Sequence, residues 1–270
     1  MKPPMDVTMT ATVRADILRM TLRSFHKHFL HNFTARMIIN VDPVGDTENN
    51  APIDMVNICR EYFSEVVYRT PDTPSFAAAV QWCWRQVETE VFFHLEDDWI
   101  LRRPVAPAEM LRVFDDPNVM GITLNKWNKK RLLMWIEKEL QLNPKTHDDQ
   151  GNIYLRMPIP ALNPGLLRRD YANRCSERMS IEKDPEGQLG DLWRRVAANS
   201  APPIFLWRFS DEVVLIDIGN RWRKWRFIHK RWGDGSATTW GTLGNRTRFR
   251  AASRAVRWHA SKWYWRARYL

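Results

Sequence analysis

Val91-Phe92-Phe93-His94-Leu95-Glu96-Asp97-Asp98-Trp99 decides how this chain is read. The run from Val91 to Leu95 carries no acid, lysine or arginine and suits a short strand buried on both faces. Three carboxylates follow it directly. Adjacent acids repel one another, and crowding them at a strand end gains nothing unless a cation joins them. Hard divalent cations such as Mg²⁺ and Mn²⁺ take carboxylate and phosphate oxygens as ligands. In open α/β sheets, ligands bind beyond the carboxyl ends of the strands. The competing reading of the triplet is an acidic surface turn that caps the next helix or pairs with Arg102 and Arg103.

Upstream of this run, strands and helices alternate. Residues 6–12 read as a first strand, and a helix follows over about 14–30. Leu18, Leu22, Phe25 and Phe29 line one face of that helix. Ala35 to Val41 is a second strand, expected to stop at Asp42-Pro43 because proline is excluded from a central strand. Pro52 opens a helix with Ile53, Val56, Cys59 and Phe63 inward. Val66 to Tyr68 is a short strand. Pro74-Ser75 opens a third helix, with Phe76, Ala79, Val80, Cys83 and Val87 inward. Downstream, Val119 to Leu124 reads as a strand, and residues 126–160 as an insertion or a helix. Asn163-Pro164-Gly165 is a turn signal. A helix is expected over 185–196, and a late strand over 212–218, closed by Gly219. The alternation predicts an α/β fold with a mostly parallel central sheet flanked by helices.

Composition narrows the class. The 270 residues are 44% hydrophobic, ordinary for a globular protein. The longest apolar runs fall short of the roughly 18 residues that cross a bilayer. The N-terminal residues carry no apolar stretch of the secretory kind. Cys59, Cys83 and Cys175 are few and scattered, so a reducing, cytoplasmic setting is expected. The net charge of +10 is not spread evenly. Residues 221–270 hold 14 Lys and Arg against one acid, Asp234, together with seven of the 14 tryptophans. That composition divides the chain into a core of residues 1–220 and a basic, Trp-rich C-terminal extension over 221–270. It points to an anionic partner, nucleic acid or a membrane surface. Arg221-Trp222-Arg223-Lys224-Trp225-Arg226 and Trp263-Tyr264-Trp265-Arg266 interleave cations with rings, which suits phosphates and unpaired bases. The alternatives are an extension lying on anionic lipid, or one packed on the domain with its tryptophans buried.

The order of elements over roughly residues 6–220, with Glu96-Asp97-Asp98 after an apolar strand, resembles the nucleotide-binding half of GT-A fold glycosyltransferases of the family-two kind. The acidic triplet matches their Asp-x-Asp motif, with Glu in place of the first Asp. The resemblance implies a Rossmann-like core using Mn²⁺ or Mg²⁺ and a UDP-sugar donor. It implies that Thr10, Thr12 and Arg14 line the nucleotide and that Asp42 meets the base or ribose. It places Asp97 at the donor and makes Asp98, Glu96 and a C-terminal His229 the metal ligands. Arg14 also reads as an exposed first-turn helix residue, and Asp42 as a turn residue before Pro43. A catalytic base is implied among Glu182, Asp184 and Glu186, with Glu186-x-x-Leu189 the matching spacing. Acids at a helix start equally suit the macrodipole.

Size and charge make the chain similar to bacteriophage glycosyltransferases that act on 5-hydroxymethylpyrimidines in DNA. That similarity implies DNA as partner through residues 221–270 and, for a phage-encoded chain, the host cytoplasm. Two other readings stand beside it: the same chemistry on a surface glycan or lipid, and a DNA-binding protein built on an inactive transferase core.

Overall fold

A computed structural model of the chain describes residues 1–126, 130, 145–147, 153–157, 162–196, 204–226, 228–231 and 239–242. Four strands open the fold: β1 (Pro4–Val13), β2 (Thr34–Gly45), β3 (Val66–Arg69) and β4 (Val91–Glu96). Between them run α1 (Ala15–His28), α2 (Pro52–Arg60) and α3 (Phe76–Arg85). These are the elements expected from periodicity. There follow β5 (Trp99–Leu101), α4 (Pro107–Arg112), β6 (Val119–Leu124), β7 (Lys145–His147), β8 (Ile153–Met157) and β9 (Gly165–Arg168). The remainder is α5 (Arg169–Arg178), α6 (Pro185–Val196), β10 (Ile204–Phe209), β11 (Leu215–Asp217), α7 (Gly219–Arg226), β12 (Ile228–Arg231) and β13 (Thr239–Thr242).

Among the described residues, nine strands form the main sheet in the order β3-β2-β1-β4-β9-β6-β10-β8-β7. β3, β2, β1 and β4 are mutually parallel. β9 runs against both β4 and β6. β6 and β10 are again parallel, and β8 is antiparallel to β10 and β7. The sheet is therefore mostly parallel, with β9 and β8 reversed. Helices cover both of its faces. Met5, Val7, Met9, Ala11 and Val13 of β1 pack in one cluster with Leu18, Leu22 and Phe25 of α1, with Phe29 just after it, and with Met55, Val56 and Cys59 of α2. On the other face, Val80, Cys83 and Trp84 of α3 pack with Tyr171 and Cys175 of α5 and with Leu189 of α6. No described helix is long and apolar enough to cross a membrane.

Three local expectations are revised. β2 does not stop at Asp42-Pro43. It continues to Gly45, and the register with β1 slips between Thr12↔Asp42 and Val13↔Gly45. Pro43 and Val44 are the extra residues of a bulge, where a missing N–H costs no ladder bond. Gly45 closes the bulge with φ of 118°, a conformation that a Cβ disfavours. Ile53 is 40% exposed, and Met55 takes the inward position instead. The late strand shrinks to β11, which pairs with β5 outside the main sheet.

Opposite the carboxyl ends of β1 and β4, Asp6 fastens the floor of the sheet. It accepts from Arg36 Nε at 2.8 Å and Nη2 at 3.0 Å, and from the backbone N–H of Glu88 at 2.6 Å and Thr89 at 3.0 Å. Burial works to raise this carboxyl. The bonds from Arg36, Glu88 and Thr89 outweigh it and leave the group below the usual carboxylate range.

Candidate active site

Three neighbouring parallel strands end together. Thr12 of β1 lies opposite Asp42 of β2, and Thr10 of β1 opposite Glu96 of β4. Alternation along β1 turns Thr8, Thr10 and Thr12 to the face opposite its apolar residues. A cleft opens at these strand ends. Thr10, Thr12, Arg14 and Asp42 line it, as do Glu96, Asp97 and Asp98. Residues that the sequence scatters over some 90 positions thus share one recess.

The three acids of the triplet have different surroundings. Asp97 is buried and held by protein. Its Oδ2 accepts from Arg14 Nε at 3.1 Å and from the Thr12 backbone N–H at 3.0 Å, and its Oδ1 accepts from Arg14 Nη2. Thr21 Oγ1 on α1 donates to the Asp97 carbonyl at 2.7 Å. Burial pushes the Asp97 carboxyl up, and Arg14 opposes the shift. For Arg14 itself burial disfavours the cation, but Asp97 and Asp98 outweigh it and the guanidinium stays charged. Arg14 is therefore a buried residue and not an exposed one at the first turn of a helix.

Asp98 is more open. Arg14 Nη1 reaches its Oδ2 at 3.2 Å, and Arg223 Nη1 stands 4.0 Å from the same oxygen. Both arginines make their closest approach at Oδ2. The Asp98 carbonyl accepts from Ile218 N–H at 2.9 Å. Gly219 lies so close that a Cβ there would collide with the Asp98 carboxylate, so the chain needs glycine at this point. Glu96 lines the cleft and accepts from Trp99 Nε1 at 2.9 Å. The ion pairing read for the triplet with Arg102 and Arg103 is replaced by pairing with Arg14. Arg103 meets Glu212 instead.

Asp42 sits at the other side of β1. Asn40 Nδ2 donates to its Oδ1 at 2.8 Å, and the Ser75 backbone N–H to its Oδ2 at 3.0 Å. Burial raises its pKa to about 6, against the pull of Asn40 and Ser75. Ser75 caps α3, and the next residue, Phe76, places an aromatic ring in the cleft wall. His94, inside β4, bonds Thr8 through Nδ1 at 3.0 Å, and burial lowers its pKa to about 4. It is a neutral residue of the sheet interior.

Phe76 and Arg223 are cleft residues that the sequence reading did not single out. Phe76 reads as a core position of an amphipathic helix, and Arg223 as one cation among many in a basic run. Only the packing of α7 against α1 separates Arg223 from its neighbours. Glu182 and Glu186 are exposed and Asp184 is half-buried. Asp184 Oδ1 accepts from the Glu186 N–H at 3.0 Å, as a cap at the start of α6. None of the three is among the residues lining the cleft. His229 lies on β12, which pairs with β13. The basic and aromatic residues beyond 242 lie outside the described residues.

Among the described residues, no three His, Cys, Asp or Glu side chains converge as a ready-made metal cage. No protein family matches the sequence, and no curated protein does. Solved structures do match. The mannosyltransferase PcManGT from Pyrobaculum calidifontis, solved with GDP-Man and Mn²⁺, aligns over 84% of this chain with a TM-score of 0.51 at 11% identity. The fold is GT-A. This GT-A chain spans 61% of the length of that mannosyltransferase. Residues 1–349 of TarS from S. aureus align over 81% of this chain and 62% of their own, with a TM-score of 0.48 at 11% identity.

Proposed function

We propose that this GT-A chain is a glycosyltransferase that takes its sugar from a nucleotide donor bound at the carboxyl ends of β1, β2 and β4. One observation carries the reading. Asp42, Thr10, Thr12, Phe76 and Asp98 come from separate segments and line one cleft at the place where such sheets bind ligands. Asp42 and Phe76 offer a hydrogen-bonding edge and an aromatic face to a nucleobase. Thr10 and Thr12 offer hydroxyls to ribose or phosphate.

A divalent cation fits this donor set in a limited way. Mg²⁺ and Mn²⁺ are often held by one or two carboxylates, with substrate phosphates and water completing the shell. Asp98 is the carboxylate placed for that role, more open than Asp97 and lining the cleft, and Glu96 is its neighbour there. Asp97 is committed to Arg14 and serves to orient Asp98. When bound, the ion supplies Lewis-acid neutralisation of the departing diphosphate. The protein's own part is to fix the nucleotide, orient Asp98 through Arg14, and present the anomeric carbon to an acceptor hydroxyl.

The donor proposed is a UDP-sugar, and the acceptor proposed is DNA carrying a 5-hydroxymethylpyrimidine. The excess of cations over residues 221–270 supports the second choice. Donor hydrolysis with Mn²⁺ tests the central reading. Asp98→Asn is expected to lower turnover by about 100-fold or more, with its melting temperature within a few degrees of wild type. Wild-type turnover by that variant would remove Asp98 from the mechanism. Binding to duplex DNA that weakens steeply with salt supports the acceptor, and salt-independent or undetectable binding removes it.

A further inference from the structure

The basic stretch that starts at Arg221 sends one of its arginines into the donor cleft. Two adjacent residues of α7 do separate jobs. Trp222 is fully buried with Ile17, Met20, Ile100 and Ile218. Its indole Nε1 donates to Asp16 on α1 at 2.9 Å, and its ring lies 5.6 Å from the Arg14 guanidinium carbon. That seat fixes the rotation of α7 about its own axis. One residue further is about 100° round the helix, and there Arg223 enters the cleft wall.

Arg223 is held in place. Its Nη2 donates to Asn220 Oδ1 at 2.7 Å, one turn back, and its Nη1 stands 4.0 Å from Asp98 Oδ2. Its side chain is only 15% exposed. The result is two guanidinium groups, those of Arg14 and Arg223, beside the Asp98 carboxylate, with Arg14 also bonded to Asp97, in a recess largely shielded from water. Like charges at such range repel, and the repulsion strengthens as water is excluded. An anionic ligand relieves it. A diphosphate has the matching form, since its oxygens accept the paired N–H groups of a guanidinium.

We propose that Arg223 is a donor-binding residue that holds the diphosphate of the nucleotide beside Asp98. The assignment rests on the donor reading given above and names a contact which that reading lacks. It also divides the basic stretch: its first helix serves the donor, whatever the later residues bind.

Calorimetry on the full chain tests it, with UDP, GDP and ADP as probes, each compared with its parent nucleoside in the presence of Mn²⁺. For the diphosphate that wild type binds best, Arg223→Gln is expected to weaken affinity by about 10- to 100-fold and to leave nucleoside affinity unchanged. Arg223→Lys, which keeps the charge, should recover part of the loss. Arg221→Gln, an exposed neighbour on the same helix, should bind as wild type does. Equal diphosphate affinity in wild type and Arg223→Gln overturns the assignment, and so does an equal loss for diphosphate and nucleoside. If wild type binds none of the three diphosphates, the donor reading itself fails and this contact falls with it. Thermal melts of each variant confirm that it is folded.

Discussion

Two arginine–aspartate clusters sit at opposite ends of the same strands, and they are built to different ends. At the floor, Asp6 takes two bonds from Arg36 and two from backbone N–H groups of the loop before β4. Roughly 26 Å along β1, Arg14 binds Asp97, reaches on to Asp98, and has Arg223 nearby. The floor cluster saturates its carboxylate with donors. The upper one surrounds its second carboxylate with cations and leaves it at the wall of a recess. The same residue types fasten the fold at one end and line a cleft at the other.

Removing an arginine from each cluster should expose that difference. Arg14→Gln leaves Asp97 buried without its cation. It should cost about 3–5 kcal/mol in urea unfolding and abolish donor binding, because Asp98 loses its support. A variant as stable as wild type would mean that Asp97 is neutral in the fold. Asp6→Asn should cost less, roughly 2 kcal/mol, and leave the affinity for UDP or GDP unchanged. Altered nucleotide affinity there would show that the floor and the cleft are coupled.

The two ends also differ in how they respond to pH. The Asp6 carboxyl is held below its unfolded value. Its contribution is present above the ordinary carboxylate pKa and is lost as pH falls through the folded value. Asp42 has the opposite sign. Its pKa is raised to about 6, so folding stability falls as pH climbs from near 4 toward 6, by on the order of 2 kcal/mol. Asp42→Asn should flatten the unfolding free energy over that window, measured by denaturant titrations at several pH values. An unchanged slope would locate the titration elsewhere.

Local signals in the sequence disclosed the elements of the first half. Leu18, Leu22 and Phe25 are buried on the expected face of α1, and Phe29 is buried at its C-terminal cap, because a four-three-four spacing has few other uses. The strand before Glu96 was legible for the same reason, as was α6 over 185–196. Pro43 misled because a proline disqualifies a central strand only when its N–H is needed, and a bulge removes that need. β5 is three residues long and depends on β11, more than 100 positions away, so no local pattern announces it. In the cleft, Thr10, Thr12, Arg14, Asp42 and the acidic triplet lie at strand ends, which periodicity can locate. Phe76 and Arg223 arrive there through helix packing, which composition does not encode.

The bond from Trp222 to Asp16 spans 206 residues of chain, and this bears on how the protein is made. β1 and α1 leave the ribosome early, yet Ile17 and Met20 wait uncovered until the segment carrying Trp222 emerges. A nascent chain stalled before that point would show an apolar patch to chaperones while lacking one wall of its cleft.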